Sequence, residues 1–251
     1  MSGHSKWHSI KHKKGIVDAK KGAKFTQLAR LITVAAQKGG SDTDLNPSLR
    51  LAIEKAKEIN MPNINIERAI KKGTGELKEG VPMEEVIYEG YGPSGIALFI
   101  QAVTDNKNRT VSQIKTALSK YGGSMGTLGC TAWMFRQQGV IHADASAHSI
   151  EDIELCAIDL GASDVQPDGN SVEIHTAPQD FIVIKEALQK AGYNILSSEI
   201  TFVPKDVVTV SDPDVARKIL KLMEALEELE DVSSVASNFD ISEEVMSLAE
   251  H

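Results

Sequence analysis

Apolar residues recur along this chain first at helical and then largely at strand spacing, and the change divides it. From Asp18 onward, Phe25, Leu28, Ile32, Ala35 and Ala36 fall at three- and four-residue steps until Gly39-Gly40, which predicts an amphipathic helix with a glycine stop. Asn46-Pro47 starts a second helix, asparagine as cap and proline at the first helical position. Leu49, Ala52, Ile53, Ala56 and Ile59 form its inner stripe, and Pro62 breaks it. A third, roughly Ile64 to Lys72, turns Ile66, Ala69 and Ile70 inward and leaves Lys71 and Lys72 at its negative dipole end. The three predict a small bundle. Ahead of them, residues 1 to about 17 have no sustained apolar face, the pattern of a mobile arm that gains order on binding.

After the polar connector from Gly73 to Pro82, strand patterns take over. Val86 to Glu89 and Ile96 to Val103 read as a hairpin across Gly92-Pro93-Ser94-Gly95. A helix follows with Val111, Ile114, Ala117, Leu118 and Tyr121 on one face, then a loop punctuated by Gly122, Gly123, Gly126 and Gly129, then a strand from Thr131 to Arg136. From Val140 to Val203 the order is strand, helix, strand, strand, helix, strand, which is ferredoxin-like. Its helices carry Ile150, Ile153, Cys156, Ala157, Leu160 and then Phe181, Ile184, Leu188, Ala191. A strand from Val207 to Val210, a helix opening at Ser211-Asp212-Pro213 and a last strand from Val232 to Phe239 complete the chain.

The piece from 83 to 137 lacks a second covering helix and that from 205 to 241 lacks a sheet, so each needs the other. Three parts are therefore expected: residues 1–80, a basic helical domain with an N-terminal arm; residues 81–137 plus 205–251, a discontinuous α/β domain; and residues 138–204, inserted in it. The fold class is α+β, an N-terminal helical bundle followed by two ferredoxin-like α/β domains, one inserted in the other.

Charge sharpens this division. The formal net charge is −8, yet residues 1–80 hold 16 Lys plus Arg against 8 Asp plus Glu, and residues 81–251 hold 11 against 27. The asymmetry is sharpest from His4 to Arg30, where eight cations face the single acid Asp18. Such a segment meets polyanions, and nucleic acid is the expected partner. Lys6, Lys11, Lys13, Lys14, Lys20, Lys21, Lys24 and Arg30 are its candidate phosphate contacts, with Trp7 either to stack on a base or to dock on the bundle, and His8 and His12 to donate to phosphate or ribose. Lys20, Lys21 and Lys24 are expected on an arc of the first helix separate from Phe25, Leu28 and Ile32. Six such contacts to a duplex would give a log–log salt slope of roughly −5. The acidic body would repel phosphates and is expected to contact protein, or to orient the basic end.

Other chemistry is thinly supported. His4, His8 and His12 have helical metal-ligand spacing, but the flanking lysines disfavour a divalent cation, so no metal and no cofactor are expected. The glycine loop lacks both nucleotide-binding spacings. Its stretch Ser124, Met125, Gly126, Thr127, Leu128 is weakly charged and tipped by two apolar side chains, and reads either as an ordinary helix-to-strand connection or as a secondary contact with a large partner. The apolar strands 96–103 and 172–174 lack the exposed aromatics of an RNA-recognition sheet. No nucleophile–base pair suggests an enzyme. Cys130 and Cys156 fit reduced thiols, and the absence of a long apolar run points to a cytoplasmic protein with no membrane partner.

Four stretches together, GHSKWHSIKHKKGIVDAKKGAKFTQLAR, IERAIKKGTGE, IYEGYGPSGIALFIQAVTDNKNRT and the late NFDI, resemble the YebC/PmpR family, which includes the mitochondrial translational activator of cytochrome c oxidase subunit I. The resemblance spans essentially the whole chain. It implies a helical N-terminal domain, two α/β domains and a nucleic-acid-related role. Two forms of that role follow: a transcriptional regulator binding promoter DNA, or a ribosome-associated factor binding ribosomal RNA or tRNA that assists translation of proline-rich stretches. The basic stretch contains one Arg, and Lys is a point charge rather than a bidentate reader of bases, which weighs against sequence-specific DNA recognition.

Overall fold

The computed structural model describes residues 21–77 and 81–250. Helix α1 (Lys21–Gly39) buries Leu28, Ile32, Ala35 and Ala36 against Leu49, Ala52 and Ala56 of α2 (Pro47–Glu58) and Ile66 and Ala69 of α3 (Asn63–Gly73). Asn46 joins the first two. Its side chain accepts from the Leu49 amide as a cap and donates to the carbonyls of Ala35 (2.8 Å) and Gly40 (2.9 Å). Gly73 ends α3 in contact with α1, where a Cβ would collide with the Thr33 carbonyl oxygen and approach the Ala36 Cβ to 2.8 Å. On a different flank of α1, Val34 packs with Met83 and Val103. The helix is thus buried on two sides.

The hairpin pairs β1 (Glu84–Tyr91) antiparallel with β2 (Ala97–Thr104), Glu84 opposite Thr104 and Tyr91 opposite Ala97. Its turn uses left-handed residues Ser94 (φ 59°) and Gly95 (φ 74°). Helix α4 (Lys107–Lys120) is capped by Asn106 and buries Ile114, Ala117 and Leu118. Ser124–Met125, expected in a loop, form a short strand β3 beside Gly90 and Tyr91 of β1. The strand expected from Thr131 is a correction: Ala132–Met134 make a 3₁₀ turn and β4 runs Phe135–Asp144, because the Thr131 and Ala132 amides are held by a side chain rather than by a ladder.

Beyond β4 come α5 (Ile150–Asp159), β5 (Asp164–Asp168), β6 (Ser171–Thr176), α6 (Phe181–Lys190) and β7 (Ile195–Pro204). Their sheet has the order β5-β6-β4-β7, the ferredoxin-like arrangement, with every pair antiparallel. Ile141, Ile153, Val172, Ile174, Phe181, Ile184 and Leu188 are fully or almost fully buried.

The chain closes with β8 (Val208–Val210), α7 (Pro213–Glu227), β9 (Val232–Ser237), β10 (Phe239–Ile241) and α8 (Glu243–Glu250), the last with no counterpart in the sequence reading. The single strand expected from Val232 to Phe239 breaks at Asn238, with β9 joining β2 and β10 pairing with β8. The sheet β3-β1-β2-β9 is ordered differently from the other, with the hairpin strands β1 and β2 at its centre and β3 and β9 at its edges. Two compact units result: Trp133–Thr209 with Ala236–Asp240, and the remaining described residues, α1–α3 included.

Candidate nucleic-acid interface

Lys6, Trp7, His8, Lys11, His12, Lys13, Lys14 and Lys20 lie outside the described residues, and Lys21 is the first residue of α1. Lys24 is half-buried.

Arg30 has an intramolecular role. Its side chain is 13% exposed and its Nη1 lies 2.5 Å from Oδ1 of Asp231. That carboxylate is a hub. Asp231 is 2% exposed and accepts from Arg109 Nη2 (2.7 Å to Oδ1), Arg109 Nε (3.0 Å) and the Thr110 hydroxyl (2.7 Å). Burial alone would raise its pKa, but the bonds from Arg109 and Thr110 and the charges of Arg30 and Arg109 outweigh that and hold it below the ordinary aspartate value. One turn earlier, Gln27 donates from Nε2 to the carbonyls of Glu227 (2.7 Å) and Leu229 (2.9 Å), at and just past the end of α7. Gln27, Arg30 and Val34 thus form a second buried face on α1. The sequence carried its signal, three- and four-residue spacing, in residues that otherwise read as solvent-facing.

The secondary loop is held more firmly than its glycines suggest. Glu89, on β1 and only 3% exposed, accepts the Gly129 amide at 2.6 Å on one oxygen and the Thr131 and Ala132 amides at 2.6 and 2.7 Å on the other. The Thr131 hydroxyl sits 3.1 Å away. Desolvation pushes the Glu89 pKa up, and these bonds overcome it, leaving the group below its ordinary value. Ser124 and Met125 are fixed by β1, and a Cβ on Gly126 would clash with the Cys130 sulfur. Thr127 and Leu128 protrude between these anchors, Leu128 with 85% of its surface exposed. Nothing in the sequence distinguished Glu89 from a solvent-facing strand glutamate.

Helix α3 adds groups the sequence reading left aside. Asn63, Asn65, Arg68 and Lys71 are exposed. Asn65, Arg68 and Lys72 also line a cleft of about 430 Å³ with Phe25 and Arg30 of α1. Cys130 and Cys156 are free thiols. Among the described residues no cluster of three His, Cys, Asp or Glu is placed to hold a metal, and no helix is long and apolar enough to cross a membrane.

Residues 5–76 match the TACO1/YebC protein N-terminal domain, and residues 83–239 match the TACO1/YebC second and third domain. A protein of Dictyoglomus thermophilum is 51% identical over 247 residues and one of Halothermothrix orenii 50% identical over 248, each alignment covering 98% of both chains. Both are named "Probable transcriptional regulatory protein". The crystal structure of a conserved hypothetical protein from Aquifex aeolicus superposes with a TM-score of 0.82 at 47% identity, covering 91% of this chain and 93% of that one.

Proposed function

This chain belongs to the TACO1/YebC family of regulatory proteins, and from that premise we propose a cytoplasmic, non-enzymatic factor that grips a nucleic-acid backbone through the lysine-rich residues 6–24, the backbone being ribosomal RNA or tRNA on the translating ribosome. The observation that carries the choice is the fate of Arg30. It is the one bidentate-capable cation of the basic stretch, and Asp231 holds it. What remains to meet the partner is lysine, suited to phosphates and poorly suited to base edges. Trp7, His8 and His12 complement those lysines. The anchored loop 124–132, with Leu128 at its tip, suits a narrow crevice in a large ribonucleoprotein and would there assist elongation through proline-rich stretches.

A second reading, transcriptional regulation through promoter DNA, is favoured by the names of the relatives and by α3, whose exposed Asn63, Asn65 and Arg68 are residue types that read bases in a major groove. Crosslinking and sequencing of bound nucleic acid from cells, beside ribosome co-sedimentation, separates the two. The ribosomal reading expects reads on ribosomal RNA or tRNA and co-migration with ribosomes. Reads confined to promoters overturn it. Exchanging Lys11, Lys13, Lys14, Lys20 and Lys21 for Glu is expected to abolish binding while leaving the urea midpoint unchanged, and unaltered affinity would remove the basic stretch from the interface.

A further inference from the structure

Helix α4 is anomalous within its surroundings. Residues 81–251 carry 27 acidic side chains against 11 Lys and Arg, yet α4, KNRTVSQIKTALSK, contains four of those cations and no acid. Two are engaged at its N-terminal end. Arg109 binds Asp231 and Asp105, and Lys107 sits 2.6 Å from Glu84. The other two, Lys115 and Lys120, are exposed and pair with no carboxylate among the described residues, Lys120 lying 5.2 Å from the Tyr121 ring centroid. With Ile114, Ala117 and Leu118 buried, the outward face presents Asn108, Ser112, Lys115, Thr116, Ser119 and Lys120. Asn108, Ser112, Lys115, Ser119 and Lys120 each offer a hydrogen-bond donor there, while the Thr116 hydroxyl donates to the Ser112 carbonyl at 2.9 Å.

Its position matters as much as its charge. The α4 N-terminus meets α1 through the shared carboxylates of Asp105 and Asp231, which contact both Arg30 and Arg109. The C-terminus passes through Gly122-Gly123 directly into β3 and the loop anchored on Glu89. The helix therefore spans about 20 Å between the helix that ends the basic stretch and the secondary contact loop. Lys115 and Lys120 are about 7.5 Å apart along its axis and about 140° apart around it, so they flank the line of Ser112 and Ser119. Hydroxyls flanked by two ammonium groups suit a sugar–phosphate strand lying along the helix, and no Arg on this face is left to read base edges.

We propose that the outward face of α4 is a second backbone-binding surface, occupied by an RNA strand that continues toward the 124–132 loop. The proposal rests on the RNA reading above. Its probe is a labelled single-stranded RNA oligonucleotide bound to the full chain across a salt series, with duplex DNA of the same sequence alongside. The variants are K115Q/K120Q and the five-lysine Glu exchange in the basic stretch. K115Q/K120Q is expected to weaken RNA binding several-fold and to flatten the log–log salt slope by about 1.4, two phosphates at roughly 0.7 each, with an unchanged urea midpoint. An unchanged RNA slope in K115Q/K120Q, with binding abolished in the five-lysine variant, overturns the α4 surface and leaves the functional reading standing. Full binding by the five-lysine variant overturns that reading instead. A greater loss on duplex DNA than on RNA overturns the assignment to RNA.

Discussion

Replacing Glu89 with Gln retains the shape of the side chain and removes its charge. In the wild type three amides, those of Gly129, Thr131 and Ala132, point at a carboxylate that water does not reach. The glutamine oxygen can keep the Thr131 and Ala132 amides, but its NH₂ then confronts the Gly129 N–H, donor against donor. One charge-assisted bond is lost, about 1.5–3 kcal/mol, and the two that survive become neutral, so the expected cost is about 2–4 kcal/mol. At 1.4 kcal/mol per decade, the amides of Gly129, Thr131 and Ala132 should exchange about 30- to 1,000-fold faster, while β2 and the α1–α3 bundle change only by the global loss. Hydrogen exchange resolved to residues 124–132, beside urea unfolding, measures both. The acid limb adds a signature. Because the folded-state pKa of Glu89 is depressed, its contribution is complete above the unfolded value of about 4.3 and is lost as pH falls through the folded one. The variant should therefore lose less stability than wild type on acidification. Unchanged loop exchange, or a cost below about 0.5 kcal/mol, would show that Glu89 does not anchor the loop.

Asp231→Asn should cost about 3–5 kcal/mol in urea unfolding, since it leaves the Arg30 and Arg109 guanidinium groups without their buried counter-charge. Asp231 is likewise depressed, so this variant too should flatten the acid limb, and a loss under about 1 kcal/mol would mean the hub is not structural. Gly73→Ala should destabilise the bundle by about 1–3 kcal/mol, because the new methyl meets the Thr33 carbonyl oxygen. A neutral or stabilising effect, the result expected of Gly→Ala in an open helix, would refute that close approach.

How much of this was legible depended on whether a residue's partner lay nearby in sequence. The helices were, because Leu28-Ile32-Ala35-Ala36 or Ile114-Ala117-Leu118 display their period within a few turns, and the ferredoxin-like order of 140–203 was, because its elements alternate cleanly. Short β3 was not, since two residues have no period. The 131–136 strand was misread for a specific reason: Thr131 has strand propensity, but its amide is held by a carboxylate 42 positions earlier. In the candidate interface, Arg30 read as a solvent-facing cation because nothing local announces Asp231. Averaging charge over 81–251 hid the opposite case, an acid-free helix within an acidic body.

The two-sided burial of α1 has a consequence for the order in which the protein can be completed. Gln27 hydrogen-bonds carbonyls 200 and 202 positions further along, and Arg30 needs a carboxylate on the same late segment. The bundle can form early from local contacts, yet its seat on the body does not exist until α7 and Asp231 have been synthesised. Strand β9, which flanks β2, arrives at the same stage. Helix α1 is thus made early and locked late, and the slowest step of folding should be its closure onto the segment around α7 and Asp231 rather than formation of any one element.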